Sequence, residues 1–490
     1  MNEVLALYDC RSKQECIYRT NKIREIAGGS KLLANVYSLL INETCLNIEN
    51  TWKDDTVSGK LFSKEEFAAS GNDGVVIYEG GGNLFVLYKD KDTYINANRR
   101  FSRLLLERTY SISIIAACVP STDNFNADRK ALYVAKKHSK NLGTNSVICN
   151  VLPLTQTDRL TFMPLVGTDR FDRKLTAEAI LKRREYKKHF SRNSELGTEN
   201  LDSLVDEKGK DSILAVIYID GNDMGNKIQK CTEGKNDYPG CIQALREFSL
   251  NTNEFFVNRP VKAIEKCLRK KNEADSEKIK TSPEKSHKYR LVVGGGDEIT
   301  IICRGSDAKD IVQAYFNELS STPALSSGTP NTSCAGIALF HSHAPFADVY
   351  EIAEQCCESG KKESHKPDNN GSYVDFHYCQ SGITNLLDII REKQEKPFTK
   401  KPYSLDELAE FTRIGTILKS AGRSNVKSLG ESIVKGDSYY KFDIQRIRSR
   451  NFKGFNELTD QYNHDGDTLR KYIYDISVVF DLWFGGDNNV

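Results

Sequence analysis

Two stretches of this chain place carboxylates where they could do chemistry. The first, Ile213-Leu-Ala-Val-Ile-Tyr-Ile-Asp-Gly-Asn-Asp-Met-Gly225, ends an apolar run on Asp220 and continues into a Gly/Asn/Asp loop. The second, Leu291-Val-Val-Gly-Gly-Gly-Asp-Glu-Ile-Thr-Ile-Ile-Cys303, sets Asp297 and Glu298 beside three glycines between two β-branched runs. Adjacent acids in a tight turn repel each other unless a cation lies between them. Their oxygens suit Mg²⁺ or Mn²⁺, with the remaining coordination positions left to water and phosphate. Two such ions a few Å apart neutralise the attacking and leaving oxygens of a phosphoryl transfer together. Asp220 and Asp297 are the expected bridging ligands. Glu298 would complete the second ion's shell or receive the hydroxyl proton.

The nucleotide's phosphates need donors as well. The loop Gly221, Asn222, Asp223 and Gly225 can present backbone N–H groups, and Gly295 and Gly296 leave the turn open to a ligand. Lys361, after the helical run Val349-Tyr-Glu-Ile-Ala-Glu-Gln-Cys-Cys-Glu-Ser-Gly, is the expected phosphate cation. The plain alternative is a helix cap at Asp223 beside an ordinary hairpin.

The elements that must position these residues occur twice. A strand over residues 3–9 ends on Asp9, and Gly74-Val-Val-Ile-Tyr-Glu-Gly-Gly-Gly-Asn-Leu-Phe-Val-Leu-Tyr88 repeats the strand–triple-glycine–strand unit. Asp9 precedes Gly80 by 71 residues, and Asp220 precedes Gly294 by 74. A duplicated β-α-β-β-α-β unit explains the spacing, giving an α+β chain of two tandem ferredoxin-like palm domains and an all-helical C-terminal domain. The expected units are residues 1–150, a basic linker at 151–210, the acid-bearing palm at 211–382 and helices at 383–490. Matched by the glycines, Asn83 stands in the first copy where Asp297 stands in the second and Leu84 where Glu298 does, so the first copy should be inactive. Helices are expected on either side of Gly28-Gly29, a basic helix over Lys174 to Arg192, and a charged surface loop over Lys270 to Lys288.

Composition sets the outer bounds. A chain of 490 residues, 28% of them charged, with a net charge of +2, is neither a membrane span nor a generally polyanion-coated protein. The N-terminus lacks a signal-peptide pattern, and the 13 cysteines form no C-x-x-C pair. Both points suggest a cytoplasmic protein with reduced thiols.

The second unit resembles the palm of the large subunit of type III CRISPR effector complexes and, more distantly, GGDEF-type diguanylate cyclases. The resemblance rests on Tyr218-Ile-Asp-Gly-Asn-Asp-Met-Gly225, Gly294-Gly-Gly-Asp-Glu298, Ser333-Cys-Ala-Gly-Ile-Ala, Glu358-Ser-Gly-Lys-Lys362 and Val374-Asp-Phe-His377. The first unit resembles that family's degenerate first palm through Thr20-Asn-Lys-Ile-Arg-Glu-Ile-Ala-Gly-Gly-Ser30. The resemblance implies a nucleotidyltransferase that joins NTPs, ATP foremost, into cyclic oligonucleotide or cyclic dinucleotide messengers in antiviral defence. It also implies an RNA activator or guide-RNA complex as partner, and a homo-dimer is open. The turn ends in Asp-Glu where the family usually has two aspartates, and neither a His-Asp nuclease domain nor zinc-finger cysteines can be recognised. These departures suggest a stand-alone relative. The rival reading is a nucleotide-sensing or RNA-binding scaffold without catalysis, supported by the basic segment 174–192.

Overall fold

The computed structural model describes residues 3–485 apart from 12, 21, 142–153, 160, 190–203, 205–211, 279–286, 326–329, 343, 368, 380–386 and 464–465. The described chain is α+β, with two sheets of the same spatial plan followed by helices. In the first sheet the strands run Ile48–Glu49, Gly74–Gly80, Asn83–Tyr88, Val4–Arg11 and Ser113–Pro120 across its width. In the second the order is Tyr403–Ser404, Tyr373–Tyr378, Ser333–His341, Ile213–Gly221, Glu298–Arg304 and Tyr289–Gly295. In each, the strand ending in the acid lies between one arm of the glycine hairpin and the strand after the next helix. That is the ferredoxin-like order. The second sheet extends it with the parallel strand Tyr373–Tyr378.

The period-2 pattern decides which face each side chain takes. Ala215, Ile217 and Ile219 enter a core shared with the helices Arg259–Lys278 and Ala308–Ser320. Leu214, Val216 and Tyr218 enter the opposite core, against the helix Phe346–Ser364. That helix comes close because Gly336 has no side chain: a Cβ there would lie 1.9 Å from the Ala353 carbonyl oxygen.

The units interlock. The helix Tyr238–Asn253 buries Tyr238, Cys241, Ile242 and Leu245 in the first sheet's core, and Arg246 Nε donates to the Ile77 carbonyl at 2.7 Å. On the other side, Phe411, Leu429 and Ile476 from the C-terminal helices share one core with Ile217 and Ile301. Ser404 caps the helix Leu405–Ala421 in a capping box with Glu407. The two-residue strand Tyr403–Ser404 is the departure from an all-helical C-terminus.

Three further expectations change. The helix Ile23–Ala34 runs straight through Gly28-Gly29, and a Cβ at Gly28 would meet the Lys182 carbonyl oxygen at 1.9 Å. The glycine serves close helix packing and does not break the helix. The helix Arg259–Lys278 covers much of the expected charged loop, and 279–286 lie outside the described residues. The basic segment forms the helix Ala177–His189, beginning three residues later than expected; Arg184, Lys187 and Lys188 are exposed, while two other cations turn inward. Buried Lys182 pairs with Glu178 at 2.5 Å, and Arg183 pairs with Glu25 at 2.8 Å and Asp169 at 3.0 Å. Every described cysteine is free, and no described helix is long and apolar enough to cross a membrane.

Candidate active site

Asp220 continues the even-numbered series of its strand, so it faces the helix Phe346–Ser364. The last turn of that helix carries Lys361, whose Nζ donates to Asp220 Oδ2. Burial alone would lower the Lys361 pKa, but the Asp220 charge outweighs it and the ammonium is held raised. Lys361 therefore lies inside the helix, bound to a carboxylate.

The hairpin brings the other acids to the same end of the sheet. Ile299 pairs with Ile219 and Thr300 with Tyr218. One more step along that register sets Glu298 across from Asp220, and the next sets Asp297 across from Gly221. Gly221 is needed there: a Cβ on it would lie 2.9 Å from both Cβ and Oδ2 of Asp297. Asp297 thus lies beside Asp220, close enough for the two charges to repel each other. Burial first, then the Asp220 charge, hold the Asp297 carboxyl well above the usual carboxylate range. Burial and the charges of Asp220 and Asp297 push Glu298 up to about 7, with Lys13 pulling the other way. The protein has thus gathered more negative charge at this point than its own cations neutralise.

The loop residues divide. Gly225 and Gly295 are open, with no atom within 4 Å of where a Cβ would stand. Gly296 has φ 67°, the left-handed region that favours glycine. Asp223 also has positive φ, 56°, makes no cap to the helix Met224–Lys230, and lies 3.4 Å from His365 Nε2. The plain reading of Asp223 as a helix cap therefore fails. Asn222 is buried, and its Nδ2 donates to Ser364 Oγ at 3.2 Å and the Gly371 carbonyl at 3.1 Å. It ties the loop to the neighbouring helix and does not face outward.

Hard oxygen donors with an excess of negative charge fit a divalent cation better than any softer metal. Asp220 and Asp297 stand together as such donors. Among the described residues, however, no group of three or more His, Cys, Asp or Glu is arranged to hold one ion.

Register also corrects the comparison of the two hairpins. Gly80 pairs with Asn83 in the first, and Gly295 pairs with Glu298 in the second. Asn83 is thus the counterpart of Glu298 and Gly82 that of Asp297. Matching by the glycines alone is one residue out, because both turns span two residues but the second unit's glycines begin one register position earlier.

Sequence reasoning missed the helix Lys13–Tyr18 of the first palm, which reaches into the second. Gln14 Nε2 donates to Glu354 Oε1 at 2.8 Å, and Tyr18 OH to Thr300 Oγ1 at 3.3 Å. The Tyr18 ring stacks on Tyr350 with centroids 3.6 Å apart. No periodicity within that six-residue helix announces these contacts.

Comparison with known proteins agrees with this fold. Residues 213–370 match the family model described as Cas10/Cmr2, second palm domain. No curated protein sequence matches the chain. Among solved structures, the Csm1-Csm4 cassette in complex with cA4 is similar at TM-score 0.55 and 14% identity, covering 98% of this chain and 69% of that one. The same cassette with pppApApA gives 0.56 at 13%, again covering 98% and 69%. The Csm1-Csm4 subcomplex of the type III-A CRISPR-Csm interference complex gives 0.55 at 12%, covering 98% and 70%. At such identity these structures share a fold with this chain. Residues 213–370 are a palm of the Cas10/Cmr2 second-palm family.

Proposed function

We propose that this chain is a nucleotidyltransferase that joins NTPs, ATP foremost, into cyclic oligonucleotides, acting within CRISPR-type antiviral defence. The carrying observation is the approach of the Asp297 carboxyl, itself raised in pKa, to Asp220, beside glycines open to a ligand. Structural relatives solved with ATP, AMPPNP, pppApA, cA3 and cA4 support the choice of adenine nucleotides. Their assembly with Csm4 in a CRISPR-Csm interference complex supports partner subunits for this chain too.

Asp220 and Asp297 would hold a pair of Mg²⁺ or Mn²⁺ ions, with Glu298 at their side. When bound, such ions neutralise the attacking and leaving oxygens together. The rest is the work of the chain itself. Glu298, with its pKa near 7, takes the proton of the attacking hydroxyl. Backbone N–H groups at Gly225, Gly295 and Gly296 approach the phosphates where no side chain intervenes, while the space at Gly221 is taken by Asp297. Lys361 leaves Asp220 and takes a phosphate oxygen. The two glycine turns meet, since a Cβ on Gly296 would lie 4.0 Å from Gly81 Cα. That contact suits an acceptor nucleotide on the first palm and a donor on the second.

The rival scaffold reading keeps a smaller basic face, Arg184, Lys187 and Lys188, because Lys182 and Arg183 of the helix Ala177–His189 are used in internal ion pairs. The test is pyrophosphate release from ATP with Mg²⁺, comparing the native chain with Asp220→Ala. A loss of 10²–10³ in rate, about 3–4 kcal/mol, is expected; equal rates would exclude the assignment.

A further inference from the structure

Lys13 stands at the junction of the two glycine turns. Its Nζ donates to the Gly81 carbonyl at 2.6 Å. A Cβ on Gly82 would lie 1.9 Å from that Nζ, so the first turn is shaped around the lysine. The second turn is adjacent through Gly81 and Gly296, and the Lys13 charge is felt at Glu298. The first palm's ammonium therefore lies beside the second palm's acids.

Two other cations at these sites are held by carboxylates: Lys136 by Asp9 at 2.7 Å, and Lys361 by Asp220; a third, Lys227, is buried. Lys13, among the described residues, is held by a carbonyl alone. An ammonium has three N–H donors, and that bond uses one. The remaining donors belong to a half-buried cation between two turns with little side-chain bulk. Such a cation beside backbone free of side chains is a recognition element for a phosphate oxygen.

We propose that Lys13 binds a phosphate group of a nucleotide held between the two turns, so that the second palm's site is completed by a residue of the first. This rests on the nucleotide-joining reading, but it concerns binding and can be tested without turnover. The helix Lys13–Tyr18 is then what fixes the bridge: Gln14 on Glu354 and Tyr18 on Tyr350 and Thr300 hold the lysine's backbone to the second palm.

The experiment measures equilibrium binding of AMPPNP and of adenosine to the full chain with Mg²⁺, for the native protein, Lys13→Ala, Lys13→Gln and Lys13→Arg. Loss of a charge-assisted hydrogen bond predicts AMPPNP binding about 10- to 100-fold weaker in the alanine and glutamine variants. Adenosine binding should change less than about threefold, and arginine should recover most of the triphosphate affinity. Circular dichroism and melting of the glutamine variant separate this from misfolding. Equal AMPPNP affinity in native and glutamine proteins, or parallel losses for AMPPNP and adenosine, would overturn the proposal. A native chain that binds AMPPNP through Lys13 yet makes no product would sink the nucleotide-joining reading and leave the phosphate contact standing. A native chain that binds no AMPPNP overturns both.

Discussion

Lys136 Nζ lies 2.7 Å from Asp9 Oδ2, repeating in the first palm the contact that Lys361 makes to Asp220 in the second. The duplication thus preserved an acid and its lysine while changing what stands opposite. Asp9 pairs in register with Asn83, a neutral residue, where Asp220 stands across from Glu298. Without a second carboxylate the first palm lacks the charge to hold a divalent ion. Asp9→Ala should therefore reduce product formation by about tenfold or less, against 10²–10³ for Asp220→Ala. Initial rates of the two variants under one set of conditions check this.

Gly221→Ala tests the close approach of the two strands. The added methyl would fall 2.9 Å from Asp297 Cβ and Oδ2, closer than carbon atoms tolerate, so the hairpin tip must shift. The expected result is a loss of about 1–3 kcal/mol in stability with a far larger proportional loss of activity. A denaturant melt together with rates would show both.

The pH dependence of the metal-free protein follows from Glu298. Its pKa is about 7 in the folded chain against an ordinary 4.5, so the folded state keeps its proton when the unfolded state has lost it. Stability from this group is full below about 4.5 and is lost as pH rises through about 7. Asp297, also raised, acts in the same direction. With Mg²⁺ the fall should shrink, since a bound cation favours the ionised carboxylates. Glu298→Gln should stabilise the metal-free protein at pH 8 by on the order of 1–2 kcal/mol, allowing for solvent screening. Melting temperatures across pH 5–8, with and without Mg²⁺, measure it.

Gly336→Ala tests the packing beneath the helix that carries Lys361. A Cβ there would lie 1.9 Å from the Ala353 carbonyl oxygen and 2.5 Å from Cys357 N. Backbone cannot yield as a flexible side chain can, so destabilisation of about 2–4 kcal/mol is expected. Chemical denaturation gives the value.

Much of this was legible in the sequence, for physical reasons. The strand Ile213–Gly221 is apolar on both faces and ends in an acid, which fixed the place of Asp220. The glycine hairpins marked their own turns, and the order of elements gave the tandem palms. What stayed hidden depended on contacts between distant segments. Gly28-Gly29 suggested a break because glycine is a poor helix former, and the approach of Lys182 that explains the pair comes from 154 residues away. The pairing of Asn83 with Asp9 turns on one residue of register, to which a glycine-by-glycine match is blind. Lys13 could not be assigned to the second palm, since nothing local links it to Glu298.

The central claim is that Asp297, beside Asp220, makes this palm catalytic. Mass spectrometry of products formed from ATP with Mg²⁺, with partner subunits and RNA supplied, tests it most directly when the native chain is set beside Asp297→Ala. The account predicts a cyclic oligoadenylate and pyrophosphate from the native chain and at least a hundredfold less from the variant. The same product in equal yield from both, or none from the native chain with any NTP mixture, would contradict it.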